Sequence, residues 1–437
     1  MCGIFGYIGD RASAARIVFE GLKRLEYRGY DSWGVAVVSK SKIAVKKKTG
    51  KIGGANIDDL PQGKLAIGHT RWATHGGVTD INAHPHLDCS GNRAVIHNGI
   101  FENYEAFKKK LANAGHKFIS ETDTETVAHM LETSSFRSVF NRMDGLNAVI
   151  AIDTQVGQIL AARNGSPLVI GFGKGENFLA SDASALLPHT REVYFLEDNE
   201  MAILKKDNVT VLNIKTGKEI KPKIQKLNWT VLSGEKGKYP NFMLKEIYEQ
   251  PKIISEIAQN YSLAVKTARE VKKARGTYFV GCGTAAYACL AGTYLFSKIA
   301  KRHINCAIGS EFGYHLDFLN KDSLVIPISQ SGETMDILES VKKAKDRGAK
   351  IASIVNVLGS SLYRMSDRKI LIGAGPEKAV ASTKALTGML SHLILLACAL
   401  NGGGKEGQKL LTLAAKSTKK ILNRSSIKTI IQLANKI

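Results

Sequence analysis

Apolar and polar residues alternate over short stretches of the first half of the chain, with the two-residue period of β-strands. Residues Gly3–Ile8 predict a first strand, and apolar residues at three- and four-residue spacing between 12 and 25 predict the helix after it. From 148 to 213 one strand candidate follows another, separated by polar or glycine-containing turns. Strands interrupted by only a few helices indicate an α+β domain with packed antiparallel sheets.

A different pattern begins after a segment rich in glycine and charge, Ser233–Lys238. Strand candidates there alternate with helical stretches, as in the strand 324–328 followed by a helix over 335–348. Such alternation indicates βαβ units and therefore an α/β, doubly wound parallel sheet. We also expect a helix from 242 to about 274 that breaks at Pro251. The predicted division is a first domain over 2–232, a linker over 233–241 and a second domain over 242–437.

Basic residues strongly outnumber acidic ones, giving a formal net charge of +22 over 437 residues. Such a charge is typical of proteins that bind nucleic acid, but the lysines here are spread along the chain and are not interleaved with aromatic residues. The six cysteines form no CxxC pair, which indicates a reduced compartment. The most apolar stretch, 389–400, is too short to span a bilayer, and no signal-peptide core is present. We therefore expect a cytoplasmic protein that binds neither nucleic acid nor membranes.

The second residue, Cys2, becomes N-terminal when Met1 is removed. It then carries a thiol and a free α-amine, whose unperturbed pKa of about 7.7–8.0 leaves a useful neutral fraction near neutral pH. Such an amine can accept the thiol proton, so that one residue supplies both a nucleophile and its base. The alternative is a small cysteine buried in the first strand, as is common in folded proteins. Position alone leaves both interpretations open.

Further polar residues of the first half suit a small substrate with charged ends. Arg71 follows a strand and could bind a carboxylate through two hydrogen bonds. Asn98 and Gly99 form either a plain turn or an oxyanion hole made of a side-chain amide and a backbone N–H. Asp123 either caps the helix after it or binds an ammonium group. Five of the eleven histidines lie between 69 and 97, but their spacing matches no zinc motif, so we expect no metal.

In the second half, the segment Ser329–Thr334 carries three hydroxyl groups between an apolar strand and a helix. Backbone N–H groups at a helix start, together with hydroxyls, favour a phosphate site over a simple polar cap. The segment Gly281–Ala286 also follows a strand and imitates a dinucleotide-binding fingerprint. A lone fingerprint is weak evidence for a dinucleotide-binding fold, and that fold does not include a serine-rich loop after another strand. The phosphate interpretation is therefore favoured.

Short segments in both halves match the motifs of known domains. In the first half they are Met1–Ile4, Glu26–Ser32, His69–Gly76, Asn82–His86, His97–Gly99 and Thr122–Glu125. In the second half they are Phe242–Pro251, Gly281–Thr284, Ser310–Phe312, Ser329–Thr334 and Val380–Lys384. The first set resembles the N-terminal-nucleophile (Ntn) glutamine amidotransferase domain, an αββα fold with antiparallel sheets, and the second resembles the sugar isomerase (SIS) domain. Together they resemble the glutamine–fructose-6-phosphate aminotransferase (isomerizing) family over essentially the whole chain.

The resemblance implies that Cys2 attacks the side-chain amide of glutamine and forms a glutamyl thioester. Asn98 and the Gly99 N–H would form the oxyanion hole, Arg71 would hold the α-carboxylate of glutamine, and Asp123 would hold its α-amine. The residues implied to line the glutamine pocket or the ammonia route are Trp72, Thr74 and His75. For the second half, the residues implied to bind the sugar phosphate are Ser329, Gln330, Ser331 and Thr334. Those implied to surround the sugar are Cys282, Gly283, Thr284 and Val380.

The sequence departs from the family pattern at single residues and at its end. Among single residues, Trp33 lies beside the pocket motif where a small residue is expected, Ala285 replaces a serine, and Gly313 replaces an arginine. Family members also carry a second SIS domain and a C-terminal tail, which hold the lysine that opens the sugar and the acid–base residues of isomerisation. Here the sequence stops at Ile437, after one SIS domain and a connecting helix.

The reaction implied by the resemblance is ammonia transfer from glutamine to fructose 6-phosphate, which gives glucosamine 6-phosphate and glutamate. Two alternatives stay open: a glutaminase half-enzyme that supplies a separate isomerase chain, and a regulatory module that binds a phosphosugar without converting it. No metal or organic cofactor is implied. The implied partners are a second copy, in a homodimer formed through the SIS domain, or another chain that carries the remaining isomerase half.

Overall fold

The computed structural model describes residues 2–227 and 237–435. The chain divides into two compact units, Met1–Val231 (unit 1) and Leu232–Ile437 (unit 2). The predicted boundary between 232 and 233 lies outside the described residues, as does most of the glycine- and charge-rich segment that suggested it.

Unit 1 consists mainly of short strands, in the alternation that the sequence pattern predicts. Its helices are α1 (Ala14–Leu25), α2 (Tyr104–Asn113), α3 (Asp123–Thr133) and α4 (Phe136–Phe140). Its first strands are β1 (Gly3–Gly9), β2 (Ser32–Ser39), β3 (Lys42–Thr49), β4 (Leu65–Arg71), β5 (His86–Leu87), β6 (Arg93–Asn98), β7 (Asn147–Asp153) and β8 (Ile159–Asn164). The remaining strands are β9 (Val169–Phe172), β10 (Glu176–Ala180), β11 (Glu192–Phe195), β12 (Glu200–Leu204), β13 (Val209–Asn213), β14 (Glu219–Ile220) and β15 (Gln225–Lys226).

Two antiparallel sheets pack face to face in unit 1. The first has the strand order β15-β11-β9-β10-β1-β4-β2-β3, and the second has the order β14-β13-β12-β8-β7-β6-β5. Because side chains alternate along a strand, Ile4 and Ile8 of β1 face the core between the sheets, whereas Phe5 and Tyr7 face α1. Helix α3 packs on the outer face of the second sheet. The resulting α-β-β-α layering confirms the predicted Ntn fold.

Unit 2 alternates strands with helices. Its strands are β16 (Gly276–Gly281), β17 (Asn305–Ile308), β18 (Ser323–Ser329), β19 (Lys350–Val355) and β20 (Arg368–Leu371). Its longer helices are α5 (Phe242–Gln259), α6 (Tyr261–Lys273), α7 (Thr284–Leu295), α9 (Met335–Asp346), α11 (Lys384–Leu400), α12 (Gly404–Ile421) and α13 (Arg424–Ala434), and its short ones are α8 (Gly309–Phe312) and α10 (Ser361–Met365).

The sheet of unit 2 is parallel, with the strand order β17-β16-β18-β19-β20. Helices cover both faces: α5, α6, α7 and α11 pack around one buried cluster, and α8, α9 and α10 around the other. The predicted doubly wound α/β fold is therefore confirmed. The first strand, β16, lies between β17 and β18, so the strand order reverses there. Ligands of such sheets bind at this reversal, beyond the carboxyl ends of the strands.

One predicted break is wrong. Helix α5 runs through Pro251 and ends at Gln259, and α6 starts two residues later. Proline removes one backbone hydrogen bond, but the turns after it bury Ile253, Ile254 and Ile257 in the core of unit 2. Tertiary burial thus outweighs the local cost of proline. Among the described residues, no helix combines the length and the apolar character needed to cross a membrane.

Candidate functional site

The pairing of β1 with β4 brings Cys2 and Arg71 together. Ile4 pairs with His69 in the antiparallel register, so continuing it by two residues places Cys2 opposite Arg71. Even-numbered residues of β1 point between the two sheets, as Ile4 does. Cys2 therefore lies at the edge of the core between the sheets, where it is partly exposed.

The thiol of Cys2 interacts with the backbone of Trp72. The Trp72 N–H donates to Sγ over 3.2 Å, and Sγ lies 3.5 Å from the Trp72 carbonyl oxygen. Burial raises the pKa of the Cys2 thiol, although the Trp72 N–H and the positive charges of Arg71 and Arg28 oppose that rise. The thiol is therefore predominantly protonated at neutral pH, and its use as a nucleophile requires a base to accept the proton.

Asn98 reaches Cys2 from the second sheet. Its Nδ2 donates to the Cys2 carbonyl oxygen over 3.0 Å, and its Oδ1 lies 3.0 Å from His69 Nε2. Because Oδ1 only accepts hydrogen bonds, His69 must donate through Nε2, which in turn directs the Asn98 NH₂ group towards Cys2. Burial lowers the pKa of His69 to about 3, so this histidine is neutral at physiological pH. The two consecutive hydrogen bonds, from His69 to Asn98 and from Asn98 to the Cys2 carbonyl oxygen, orient an amide donor beside Cys2.

Gly99 follows Asn98 in a conformation that requires glycine. Its φ is +135°, and a Cβ at this position would lie 2.2 Å from the Leu146 carbonyl oxygen. The chain can therefore turn away from β6 directly after Asn98, leaving an amide side chain and a backbone N–H on consecutive residues. This is the donor pair that an oxyanion hole needs.

Arg71 is buried and binds the backbone of the loop that follows it. Its Nη2 donates to the carbonyl oxygens of His75 and Gly76, and its Nη1 donates to that of Gly77 over 3.1 Å. Burial lowers the pKa of Arg71, while the negative charge of Asp123 and the Cys2 thiolate oppose this effect. The guanidinium group thus shapes the loop 75–77 and remains within electrostatic reach of Cys2 and Asp123.

Asp123 is the first residue of α3 and is also buried. Its Oδ2 accepts from the Phe101 N–H over 2.8 Å, its Oδ1 accepts from the Thr124 N–H over 2.9 Å, and its carboxylate lies 3.9 Å from His97 Nδ1. Burial lowers the pKa of His97, which favours its neutral form, so the carboxylate can accept a further positively charged group. The other predicted pocket residues differ in exposure: Trp72 and Thr74 are exposed, whereas His75 is partly buried beside the Tyr104 ring.

Trp33 does not lie beside the pocket. It pairs with Thr70 on β4, and its indole packs against Phe19 of α1 with the ring centroids 5.5 Å apart. Alternation along β2 places Ser32 and Gly34 on the opposite face, towards the second sheet. The bulky residue therefore fills the core under α1 and does not project from the face of the sheet that carries Cys2.

Three histidines of the histidine-rich segment form a buried, uncharged cluster. The ring centroids of His69 and His84 lie 4.3 Å apart, and those of His84 and His86 lie 4.9 Å apart. Burial lowers the pKa of all three well below its usual range. Within the described part of the chain, none of the histidines between 69 and 97 belongs to a group of three or more metal-ligating side chains. These residues pack and orient their neighbours.

In unit 2, the loops after β16 and β18 form a cleft at the reversal of strand order. The cleft has a volume of about 190 Å³. Six of the predicted sugar-site residues line it: Cys282, Thr284, Ser329, Gln330, Ser331 and Thr334. Four further residues line it as well: Ala285, Ile337, Ser382 and Met389. Gly283 and Val380 are not among the lining residues, and Val380 is 85 % exposed.

The loop after β18 is pre-shaped by its own hydroxyl groups. Ser329 Oγ accepts from the Gly332 N–H over 2.9 Å, and Ser331 Oγ accepts from the Glu333 N–H over 3.2 Å. Gly332 has a φ of +68°, and a Cβ there would lie 2.1 Å from Ser360 Oγ. The loop ends at Thr334, directly before α9, so the partial positive charge of that helix end is aimed at the cleft. A tight, donor-rich loop of this kind suits an anion.

Some contacts of the site went beyond the roles assigned from sequence. Arg28 donates through Nε to the Cys2 carbonyl oxygen over 3.1 Å, and Asp31 accepts from the Ala73 N–H over 2.9 Å. Both residues lie in the motif Glu26–Ser32. The motif therefore pointed to this part of the chain, but it did not indicate which atoms Arg28 and Asp31 contact. Among the additional residues that line the cleft of unit 2, Ser382 likewise lies inside a recognised motif. Ile337 and Met389 lie on apolar helix faces, which the sequence pattern predicts only to be buried in the core.

Comparisons with known proteins find relatives of both units. The glutamine amidotransferase domain model matches residues 53–228, and the SIS domain model matches residues 270–399. A protein of Caldanaerobacter subterraneus, named glutamine–fructose-6-phosphate aminotransferase (isomerizing), is 43 % identical over 96 % of this chain and 72 % of its own length. The protein of that name from Pyrococcus horikoshii is 45 % identical over 91 % of this chain and 69 % of its own. A solved C-terminal domain of glucosamine-fructose-6-phosphate aminotransferase from Francisella tularensis is 35 % identical, covering 43 % of this chain and 56 % of that chain, with a TM-score of 0.38.

Proposed function

Because this chain belongs to the glutamine–fructose-6-phosphate aminotransferase (isomerizing) family, we propose that unit 1 releases ammonia from glutamine and unit 2 binds the acceptor sugar. The enzyme hydrolyses L-glutamine and transfers the ammonia to fructose 6-phosphate, which yields glucosamine 6-phosphate and glutamate. The observation that carries the assignment of unit 1 is the approach of Asn98 to Cys2 from the opposite sheet, with Nδ2 3.0 Å from the Cys2 carbonyl oxygen.

In the proposed mechanism, Cys2 is the nucleophile. Its sulfur forms a bond to the amide carbon of glutamine, and the negative charge that develops on the amide oxygen is stabilised by Asn98 Nδ2 and the Gly99 N–H. The thiol proton passes to the α-amine of Cys2, which is free once Met1 has been removed, and from there to the departing ammonia. Water then cleaves the thioester, which releases glutamate and restores the thiol.

We assign glutamine binding to the buried charges beside the thiol. Arg71 would pair with the α-carboxylate, since its guanidinium already lies within electrostatic reach of Cys2, and Asp123 would pair with the α-amine. Arg71 must then exchange some of its bonds to the loop carbonyls for bonds to the substrate. The loop would respond to glutamine, and the residues proposed to line the resulting pocket and the ammonia route are Trp72, Thr74 and His75.

We assign the acceptor sugar to the cleft of unit 2. The phosphate would bind the loop before α9, where hydroxyl groups and backbone N–H groups converge. The residues proposed to bind the phosphate are Ser329, Gln330, Ser331 and Thr334. The residues proposed around the sugar are Cys282, Gly283, Thr284 and Val380. Support for this assignment comes from the cleft lining, which contains six of these eight residues.

A single assay tests the proposal. The purified protein is incubated with glutamine and fructose 6-phosphate, and glutamate and glucosamine 6-phosphate are measured separately. Production of both supports the full reaction. Glutamate without amino sugar would instead favour a glutaminase that supplies another chain, and sugar-phosphate binding without either product would favour a regulatory module. A Cys2→Ala variant that released glutamate at the wild-type rate would refute the assignment of the nucleophile.

We further propose that the protein acts in the cytoplasm. Its six free cysteines support a reducing compartment.

We also propose that unit 2 forms a homodimer. Helix α7 exposes Tyr287, Leu290 and Tyr294 on one face, and the two tyrosines are 73 % and 66 % exposed. Light scattering should give twice the chain mass for the wild type and the monomer mass for Tyr287→Glu/Tyr294→Glu. A control Val156→Glu, also at an exposed apolar residue but in unit 1, should stay dimeric. A monomeric wild type would favour another chain as the partner.

A further inference from the structure

A cluster of potential metal ligands lies in unit 1 and takes no part in the proposed reaction. It consists of Cys89, His116, His129 and Glu132, and the potential ligand atoms of these side chains all lie within 4.8 Å of one another. Three separate segments supply them: the turn between β5 and β6, the loop between α2 and α3, and helix α3 itself. Residues so far apart in sequence share no short motif, so only the fold assembles the cluster.

Three of the four measured distances between the donor atoms lie within about 0.1 Å of those in a tetrahedral zinc site, and the fourth, between His129 and Glu132, is shorter. Zinc bonds of about 2.0–2.3 Å place neighbouring ligand atoms about 3.3–3.7 Å apart. Cys89 Sγ lies 3.4 Å from His129 Nδ1 and 3.8 Å from His116 Nδ1. Glu132 Oε1 lies 3.2 Å from His116 Nδ1 and 2.7 Å from His129 Nδ1. Small shifts of side chains would equalise these distances around a central ion.

The surroundings of His129 resemble those of a metal-bound histidine. Its Nδ1 faces the cluster, and its buried Nε2 has no hydrogen-bond partner among the described residues and lies 3.7 Å from Glu125 Oε1. Ligating histidines commonly direct their second ring nitrogen at a carboxylate, which orients the ring. Glu125 is held in place for this role because its carboxylate accepts from the N–H groups of Ile119 and Ser120 over 2.8 and 2.7 Å.

A plain hydrogen-bonded cluster explains these contacts less completely. His129 and Glu132 are three residues apart on α3 and could form an ordinary ion pair. That pair, however, does not account for a second imidazole and a thiol directed at the same point. Glu132 Oε1 is approached by His116 Nδ1 and His129 Nδ1 and also accepts from the Cys89 N–H over 3.0 Å. Four donors of three chemical types around one centre match the ligands that a borderline-soft cation selects.

We propose that Cys89, His116, His129 and Glu132 bind one zinc-class divalent cation in a tetrahedral, structural site. Four protein ligands leave no open position for a substrate, which distinguishes a structural from a catalytic site. On binding, the Cys89 thiol loses its proton to the solvent, and the cation joins the turn after β5 and the loop before α3 to α3. The site is partly exposed at Cys89, so the cation can enter from solvent. The thiolate and imidazole ligands favour zinc over magnesium or calcium.

Titration of the metal-free full-length protein with Co²⁺ tests this proposal. We expect one equivalent to bind with the visible absorption of tetrahedral Co²⁺ and a sulfur-to-metal charge-transfer band, both removed by one equivalent of Zn²⁺. Bound Zn²⁺ should also raise the unfolding temperature of unit 1. Absence of the tetrahedral spectrum in the wild type would overturn the proposal.

Variants distinguish this cluster from other sites. Cys89→Ser and His116→Asn, both outside the buried core, should each weaken Co²⁺ binding at least tenfold. Two independent variants guard against misfolding of either one. Cys306→Ser, at an exposed cysteine of unit 2, and Cys2→Ala should leave the spectrum unchanged. A spectrum that persists in Cys89→Ser, or disappears in Cys2→Ala, would refute the assignment whatever the outcome of the glutamine assay.

Discussion

Asn98 Nδ2 lies 3.0 Å from the carbonyl oxygen of Cys2, and the two residues come from different sheets. Cys2 precedes β1 of the first sheet, whereas Asn98 ends β6 of the second. The contact therefore depends on the packing of the two sheets and on their register. It also makes the amide of Asn98 a donor whose position can be tested independently of the thiol.

Removing this donor should slow glutamine hydrolysis. Asn98→Ala deletes one of two proposed oxyanion donors, so we expect kcat for glutamate release to fall about 10²–10³-fold with little change in KM. Steady-state kinetics with glutamine alone measure this effect. Asn208→Ala provides the matched control, because this asparagine is exposed and its side chain donates to Thr210. Retention of kcat within a factor of ten in Asn98→Ala would contradict the proposed role.

His69 should act as a positioning residue for Asn98. Its Nε2 lies 3.0 Å from Asn98 Oδ1, so His69→Ala frees the amide to rotate, and we expect kcat for glutamate release to fall about tenfold. His69→Gln can place an amide N–H near the same position and should restore most of the activity. Because burial lowers the pKa of His69 to about 3, the kcat profile between pH 5 and 8 should have the same shape in the wild type and in His69→Gln. If kcat for glutamate release fell equally in His69→Gln and His69→Ala, the role of His69 would be purely structural.

Gly332 should control the phosphate loop of unit 2. Alanine at a φ of +68° costs about 1–2 kcal/mol, and its Cβ would meet Ser360 Oγ, so the loop must shift. We expect Gly332→Ala to weaken fructose 6-phosphate binding at least tenfold in a calorimetric titration and to leave glutamate release unchanged.

The matched control for that substitution is Gly313→Ala. A Cβ at Gly313 would meet no atom of the described residues within 4 Å, and the φ of Gly313 is −54°. This variant should bind the sugar phosphate as the wild type does. Equal loss of binding in both variants would show that the phosphate loop is not the determinant.

His392 should make unit 2 sensitive to acid. Burial lowers its pKa to about 4, although hydrogen bonds with the backbone of Ile372 and Leu371 oppose the shift. Below pH 6.5 the unfolded chain takes up a proton that the folded chain rejects, so stability falls as pH decreases from about 6.5 towards 4. Between pH 7 and 5 we expect His392 to account for a loss of about 2 kcal/mol.

Denaturant unfolding of unit 2 at the two pH values measures this loss. His392→Gln lacks the titrating group, so its stability should depend less on pH by that amount. His303→Gln removes an exposed histidine and should keep the wild-type dependence. The same pH dependence in wild type and His392→Gln would exclude the buried histidine as its origin.

The amino-acid sequence by itself determined the architecture of both units and most candidate residues. Alternation with a period of two set which side chains of β1 share a face, and the alternation of strands with helices in the second half required a parallel sheet. The residues around Cys2 and in the segment Ser329–Thr334 were identifiable because short segments combine unusual chemistry with a defined position at a strand end.

Only the tertiary structure decided which residues meet across elements. Sequence alternation cannot indicate which sheet lies opposite a strand, so the path from His69 through Asn98 to Cys2 was not predictable. For the same reason Trp33 appeared to approach the pocket but packs under α1, and α5 continues through Pro251 because distant residues bury its later turns. The cluster of Cys89, His116, His129 and Glu132 extends this principle: local patterns specify elements, whereas contacts between distant segments arise only when those elements pack.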